Sequence, residues 1–257
     1  MLYFKYVSIH LKSQMQYKLS FFFLIFAQFL MSFTVLLGLF FMMSRFHNVA
    51  GFTLEQVLLC CATVLMAFSL AECFFRGFDT FPQMISNGEF DRALTRPRSL
   101  IFQVAAGKVE FHRLGRFAQA IMVFCYAIPR SGVLWTPDKI LTLGLMVSCG
   151  FLVFFGLFIA YAGVAFFTIE GIEFMNILTD GGREFGAYPY SIYGENILRF
   201  LTYVVPLALF QYYPLLYILG ERQSKLYMLL PVASLFFLIP AYAVWRFGLS
   251  RYKSTGS

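Results

Sequence analysis

Residues 19–43 read LSFFFLIFAQFLMSFTVLLGLFFMM, and this stretch decides the fold. After Ser20 its only polar residues are Gln28, Ser32 and Thr34, and none of its residues is charged. As a helix rising about 1.5 Å per residue, it exceeds the roughly 30 Å hydrocarbon core of a bilayer. An apolar run of this length without a charge reads as a membrane-crossing helix rather than a soluble core element.

Further runs recur along the chain, at 54–75, 111–129, 140–167, 197–219 and 226–247, which gives six expected spans. The third is the weakest. Its clearly apolar part is Phe117 to Ile128, and it must borrow turns from the residues before it to cross. The fifth is interrupted by Pro206 and Pro214. A proline removes a backbone hydrogen bond and kinks a helix, and irregular backbone at membrane depth is tolerated only against protein or a water-filled path. The segment after this helix break is expected to dip back into the membrane.

Composition agrees. The 257 residues are 60% hydrophobic and 13% charged, whereas soluble domains carry about 25% charged residues. The fold class expected is an all-α integral membrane protein with one domain over residues 1–257. The net charge of +7 is not a nucleic-acid signature, because the basic residues sit between apolar runs rather than on one soluble face. Only Arg45, Arg130, Lys139, Arg222 and Lys225 fall on the outer side if the N-terminus is cytoplasmic, and the other fifteen Lys and Arg fall inside. That bias places both ends in the cytoplasm and favours six spans over five or seven. Ahead of the first span, Phe4, Val7, Leu11 and Met15 share one helical face while Lys5, Lys12 and Gln16 share another. This pattern predicts an interfacial amphipathic helix over residues 1–18, with a disordered basic leader as the alternative.

Catalytic signatures are missing from the sequence. It has no G-x-x-x-x-G-K-[ST] loop and no H-E-x-x-H. His10, His47 and His112 are dispersed, and the five cysteines lack metal-site spacing. No catalytic, cofactor or metal site is therefore expected in this chain. Interest falls on two connections expected on the cytoplasmic side. In the first, Phe81, Met84 and Ile85 form a short apolar face, Asn87-Gly88 marks a turn, and Glu89, Asp91, Arg92, Arg96 and Arg98 follow. Such a short amphipathic helix can dock on a soluble partner or lie on the membrane, and a plain solvated loop is the other reading. The second connection carries Glu170, Glu173, Asp180, Arg183, Glu184 and an aromatic patch at Tyr188–Tyr193. Glu72 is the acid clearly inside an apolar run. It stands four residues before Arg76, the spacing of a helical ion pair, and a transport role is the alternative.

Two stretches carry a family resemblance. One is Phe75-Arg76-Gly77-Phe78-Asp79 followed by Ile85-Ser86-Asn87-Gly88-Glu89-Phe90-Asp91-Arg92-Ala93-Leu94-Thr95-Arg96-Pro97. The other runs from Phe166 through Glu170, Glu173-Phe174-Met175-Asn176 and Asp180-Gly181-Gly182-Arg183-Glu184 to Ile192-Tyr193-Gly194, with Val205-Pro206 and Tyr212-Tyr213-Pro214 beyond. Together they resemble ABC-2 type permeases, and more narrowly a bacterial subfamily described as uncharacterised ABC transport system permeases. The resemblance implies a six-helix exporter permease subunit in a bacterial cytoplasmic membrane. It also implies pairing with a second permease, and docking on a separate ATPase subunit that holds ATP and Mg. The segment containing Phe78, Asp79, Phe81, Met84, Ile85, Gly88, Glu89, Asp91, Arg92 and Arg96 would then be the coupling helix. Rival readings from the residues are an ion-coupled secondary transporter acting alone, a membrane-embedded lipid-modifying enzyme, and a membrane scaffold.

Overall fold

The computed structural model describes residues 2–46, 51–168 and 173–254, which form helices with no strand among them. Helix α1 (Leu2–Gln14) passes through a 3-10 turn at Met15–Tyr17 into α2 (Lys18–Phe46). Then come α3 (Leu54–Asp79), α4 (Phe81–Ser86), α5 (Glu89–Leu94), α6 (Leu100–Gly107) and α7 (Leu114–Arg130). The second half holds α8 (Pro137–Ala165), α9 (Glu173–Phe185), α10 (Glu195–Tyr203), α11 (Leu207–Phe210), α12 (Tyr212–Leu219), α13 (Leu226–Ser234) and α14 (Leu238–Arg251).

Helix α3 is the axis of the bundle. It packs between α7 and α8, α14 lies along α8, and α2 leans on α7. In its most apolar window 78% of residues are buried, against 11% for the first span, so α2 is largely bare while α3 is enclosed. The start of α3 is fixed by Gln56, whose Oε1 accepts the Thr53 N–H at 3.0 Å, as in a capping box. Near its other end Phe75 leaves helical geometry, with φ −123° and ψ 16°. The carbonyls freed there find other donors. The Glu110 N–H bonds the Cys73 oxygen at 3.0 Å, and the Tyr3 hydroxyl bonds the Phe74 oxygen at 3.1 Å. The kink is thus an inserted contact rather than a defect.

Among the described residues, four helical stretches are long and apolar enough to cross a membrane: Leu2–Arg45, Leu54–Ser86, Pro137–Ala165 and Leu226–Arg251. The pair Glu195–Tyr203 and Leu207–Leu219 makes a fifth only as a bent unit, turned by 86°. The fifth run is therefore no straight span over 197–219. Pro206 stands at the corner and Pro214 in the first turn of α12, where its missing N–H costs no helix bond. The third run takes its extra turns from the residues just before Phe117: a 3-10 turn at Phe111–Arg113 leads directly into α7, while the extended Lys108 (φ −146°, ψ 122°) separates the run from α6. Helix α7 alone has 17 residues, about 25 Å of rise.

Helix α1 docks through Tyr3, His10 and Gln14, while the expected polar face of Lys5, Lys12 and Gln16 is exposed. His10 Nε2 donates to the Ala106 carbonyl at 2.9 Å, and Gln14 bridges the Val109 carbonyl and the Phe111 N–H. Its expected apolar face is divided. Val7 and Met15 pack against Cys73, Val109 and Phe111, whereas Phe4 and Leu11 stay exposed.

Close helix contacts rest on small residues. A Cβ on Gly248 would stand 2.6 Å from the Gly163 carbonyl oxygen, and one on Gly163 2.8 Å from the Trp245 nitrogen. Gly163→Leu should therefore force α8 and α14 apart and destabilise the detergent-solubilised chain by about 1–3 kcal/mol. Gly144→Leu, with open space around its Cβ position, should leave the melting temperature unchanged. Equal melting temperatures for the two variants would contradict this packing.

Candidate functional site

One end of the bundle gathers most of the chain's internal charge. Glu72, on α3, is 1% exposed and accepts three guanidinium groups. Arg116 Nη1 lies 2.7 Å from its Oε2, and Arg76 Nη1 and Arg113 Nη1 each lie 3.3 Å from its Oε1. The i,i+4 partner Arg76 was legible from spacing. Arg113 and Arg116 arrive from the start of α7 and carried no local signal. A buried carboxylate is tolerable only when paired and hydrogen-bonded in this way.

Around this centre the residues before α7 add a second shell of charge. Glu110 meets Lys108 Nζ and Arg113 Nε, each at 3.0 Å, and Arg76 also reaches Asp79 at 2.8 Å. Burial pushes the Glu110 carboxyl up, but its bonds from Lys108 and Arg113 outweigh that and hold it below the usual range. A carboxyl held low in the folded chain adds stability above its unfolded pKa and loses it as pH falls. Glu110→Gln should therefore flatten the fall of thermal stability on the acid side, below about pH 4–5. A wild-type acid profile in that variant would contradict the pairing.

Beside the cluster, α4 and α5 form a hairpin turned by Asn87 and Gly88, with Gly88 in the left-handed region at φ 68°. Phe78, Phe81, Ile85 and Phe90 all face inward and are buried. Phe81 packs edge-on against Phe90 and tilted against Trp245, with ring centroids 5.1 Å away in both cases. The apolar face that the sequence offered to a partner is thus spent inside the chain, with Met84 partly buried behind it. What faces outward is mainly polar: Gln83, Asn87, Glu89, Arg92 and Arg96 are exposed, with Leu94 an exposed apolar side chain among them. A groove of about 390 Å³ runs between α4 and α6, lined by Gln83, Asn87, Glu89, Gln103 and Lys108 among others. Asp91 is engaged differently, accepting the Tyr252 hydroxyl at 2.9 Å and the Ser254 hydroxyl at 2.7 Å.

The second connection is no simple loop. Glu170 lies outside the described residues, and Glu173 opens α9, which packs against α8 and α3. The guanidinium of Arg183 lies 5.3 Å from the centroid of the Phe68 ring and pairs with Glu184. The Gly186 carbonyl accepts from Gln211 at 3.0 Å and lies against Cys60. Tyr190 is fully buried. The stretch expected outside the membrane therefore folds against the middle of α3. Asp180 is half-buried near the Glu72 cluster, and Arg183, Glu184 and Arg116 line a shared cavity of about 230 Å³ with Ser32 and Thr34.

A family model described as ABC-2 family transporter protein matches residues 29–256, from the middle of α2 nearly to the end of the sequence. The chain belongs to this family. No curated protein and no solved structure matches it. As an ABC-2 transporter protein it is a multi-pass membrane permease subunit of an ABC transporter, and the family is a transport component rather than a catalytic one. Proteins of the ABC-2 family generally work with ABC ATPase subunits.

Within this permease, Glu72→Gln should destabilise the fold by about 3 kcal/mol, because three arginines lose their shared carboxylate. Thermal unfolding in detergent reads this directly. A loss under about 0.5 kcal/mol, the range of a surface substitution, would show that the cluster does not hold the helices together.

Proposed function

We propose that this ABC-2 permease subunit is one half of the membrane path of an ATP-driven exporter in a bacterial cytoplasmic membrane. A second permease, homologous or identical, supplies the other half. A separate ATPase subunit binds ATP and Mg and docks on the α4–α5 hairpin. The observation that carries this reading is the hairpin itself, whose polar face is outward while its aromatic face is keyed into the core. A push on that outer face passes directly to α3, α8 and α14 through Phe78, Phe81 and Trp245. The hairpin is thus suited to convert closure of an ATPase pair into a tilt of the bundle, shifting it between two states.

Topology supports the same reading. Tyr3 bonds the Phe74 carbonyl and Tyr252 bonds Asp91, so both described ends of the chain lie at the end of the bundle that holds the hairpin. That arrangement fits an even number of crossings, six if α7 and the bent α10–α12 unit each cross. The basic bias of the connections makes that end cytoplasmic. The break at Pro206 serves as the re-entrant element, and α1 lies at the membrane surface. Asp180, Arg183 and Glu184 on α9 extend the charged cluster into the bundle.

Affinity purification of the tagged full-length chain from its native membranes in gentle detergent tests the assembly. Recovery of an ATPase subunit with a second permease is the expected result. Recovery of the chain alone, under conditions that keep another ABC transporter assembled, would overturn it. In the assembled complex, Glu89→Arg should lower substrate-stimulated ATP hydrolysis about tenfold, equivalent to some 1.4 kcal/mol of coupling. Membrane insertion should be unchanged, since Glu89 is exposed and makes no ion pair among the described residues.

A further inference from the structure

Helices α2 and α7 nearly touch at Gly115, where a Cβ would stand 2.2 Å from the Ile25 carbonyl oxygen. Further along both helices, toward Phe40 and Tyr126, a cleft of about 390 Å³ opens between them and the start of α3. Phe33, Leu37, Phe40, Leu58 and Tyr126 are among its walls, and no charged side chain among the described residues lines it. Gln119 lies at its floor, four residues beyond Gly115 and so on the same face of α7. The residue is 1% exposed, and neither its Nε2 nor its Oε1 has a hydrogen-bond partner among the described residues.

That combination needs an explanation. An amide buried with both its donor and its acceptor unmade is unfavourable, and more so where no water can reach. Apart from Gln119 itself, the described walls offer only carbon and one phenol. Of the cations on α7, Arg116 is already held by Glu72, and Arg130, whose guanidinium lies over the Tyr126 ring, stands eleven residues beyond Gln119 at the far end of the cleft, so a charged head at Gln119 would find no free countercharge beside it. A helix about 10 Å across does not fit a cleft of this volume, whereas an acyl chain does.

We propose that the cleft binds an uncharged single-chain amphiphile drawn from the bilayer. Its alcohol or amide head exchanges two hydrogen bonds with Gln119, after a rotation of that side chain into the cleft, and its chain lies along α2. Both bonds are met at once, since such a head carries a donor and an acceptor. The exposed flank of α2 gives the guest a lateral entry from lipid. This inference rests on the membrane setting of the permease and not on its coupling to an ATPase.

The test uses the purified full-length chain in phosphatidylcholine nanodiscs, with a monoacylglycerol bearing a photoreactive diazirine on its chain. Labelled positions are mapped by peptide mass spectrometry. Labelling should fall within residues 33–40 and 122–126 and be displaced by unlabelled monoacylglycerol. Loss of the head-group bonds in Gln119→Leu should weaken labelling at least about fivefold. Leu37→Trp, which fills the cleft and leaves the amide in place, should abolish it. A diazirine fatty acid, anionic at neutral pH, should label at least about fivefold less than the neutral probe. Labelling that is equal in wild type and Gln119→Leu, or spread over the exposed flank of α2, would overturn the proposal. So would a disulfide between two copies of a Gln119→Cys chain, which would assign the cleft to a second permease instead. None of these readouts involves ATP, so a failure here is distinct from a failure to recover an ATPase subunit.

Discussion

The bundle is organised around one carboxylate. Glu72 stands on the most enclosed helix, in an otherwise apolar stretch, and its burial is tolerable only because Arg76, Arg113 and Arg116 converge on it. Satisfying it fixes where α7 begins, since two of the three arginines stand at that helix's start. It also holds the 108–113 segment against α3, and that segment in turn gives α1 its hydrogen bonds through Gln14. The kink at Phe75 follows from the same approach, because the Glu110 N–H takes the Cys73 carbonyl. One buried charge thus ties α1, α3 and α7 together at a single end of the molecule.

That end is also where the α4–α5 hairpin sits, and the two features divide the mechanical work. The charge cluster makes the ends of α3 and α7 stiff. The aromatic cluster of Phe78, Phe81, Phe90, Phe166 and Trp245 joins the hairpin to α8 and α14. Helix α2, by contrast, touches the rest chiefly through α7 and leaves most of its surface bare. A permease that works in a pair needs such a contrast: a rigid body that receives force, and a loosely held flank that faces lipid or a second chain.

Much of this was legible in the sequence, for identifiable reasons. Residues 19–43 and 140–167 are long uncharged runs, and hydropathy alone is enough to read them. The Glu72–Arg76 pair follows from helical spacing. Arg113 and Arg116 are 41 and 44 residues from Glu72, and no local rule points to them. The conformation of α9 was hidden for a different reason. Its sequence EFMNILTDGGREF holds two glycines and an aspartate, poor helix formers that read as a loop. Those small residues are what let the segment pack closely: a Cβ on Gly182 would stand 3.0 Å from Leu207, and one on the following Gly186 2.9 Å from Val64. The apolar face of the hairpin was recognised correctly as a face, but periodicity does not say whether such a face is covered by the same chain or by another. Gln119 gave no signal, because a single amide in an apolar helix becomes notable only once its missing partners are seen.

The central claim is that the outward face of the α4–α5 hairpin meets an ATP-hydrolysing subunit. The most direct measurement is site-specific cross-linking in native membranes, with a photoreactive residue placed at Gln83 on that face or at Leu134, which is 84% exposed and lies in the connection between α7 and α8. The account predicts that the probe at position 83 captures an ATPase subunit and the probe at position 134 does not. Capture from position 134 with none from position 83 would contradict it.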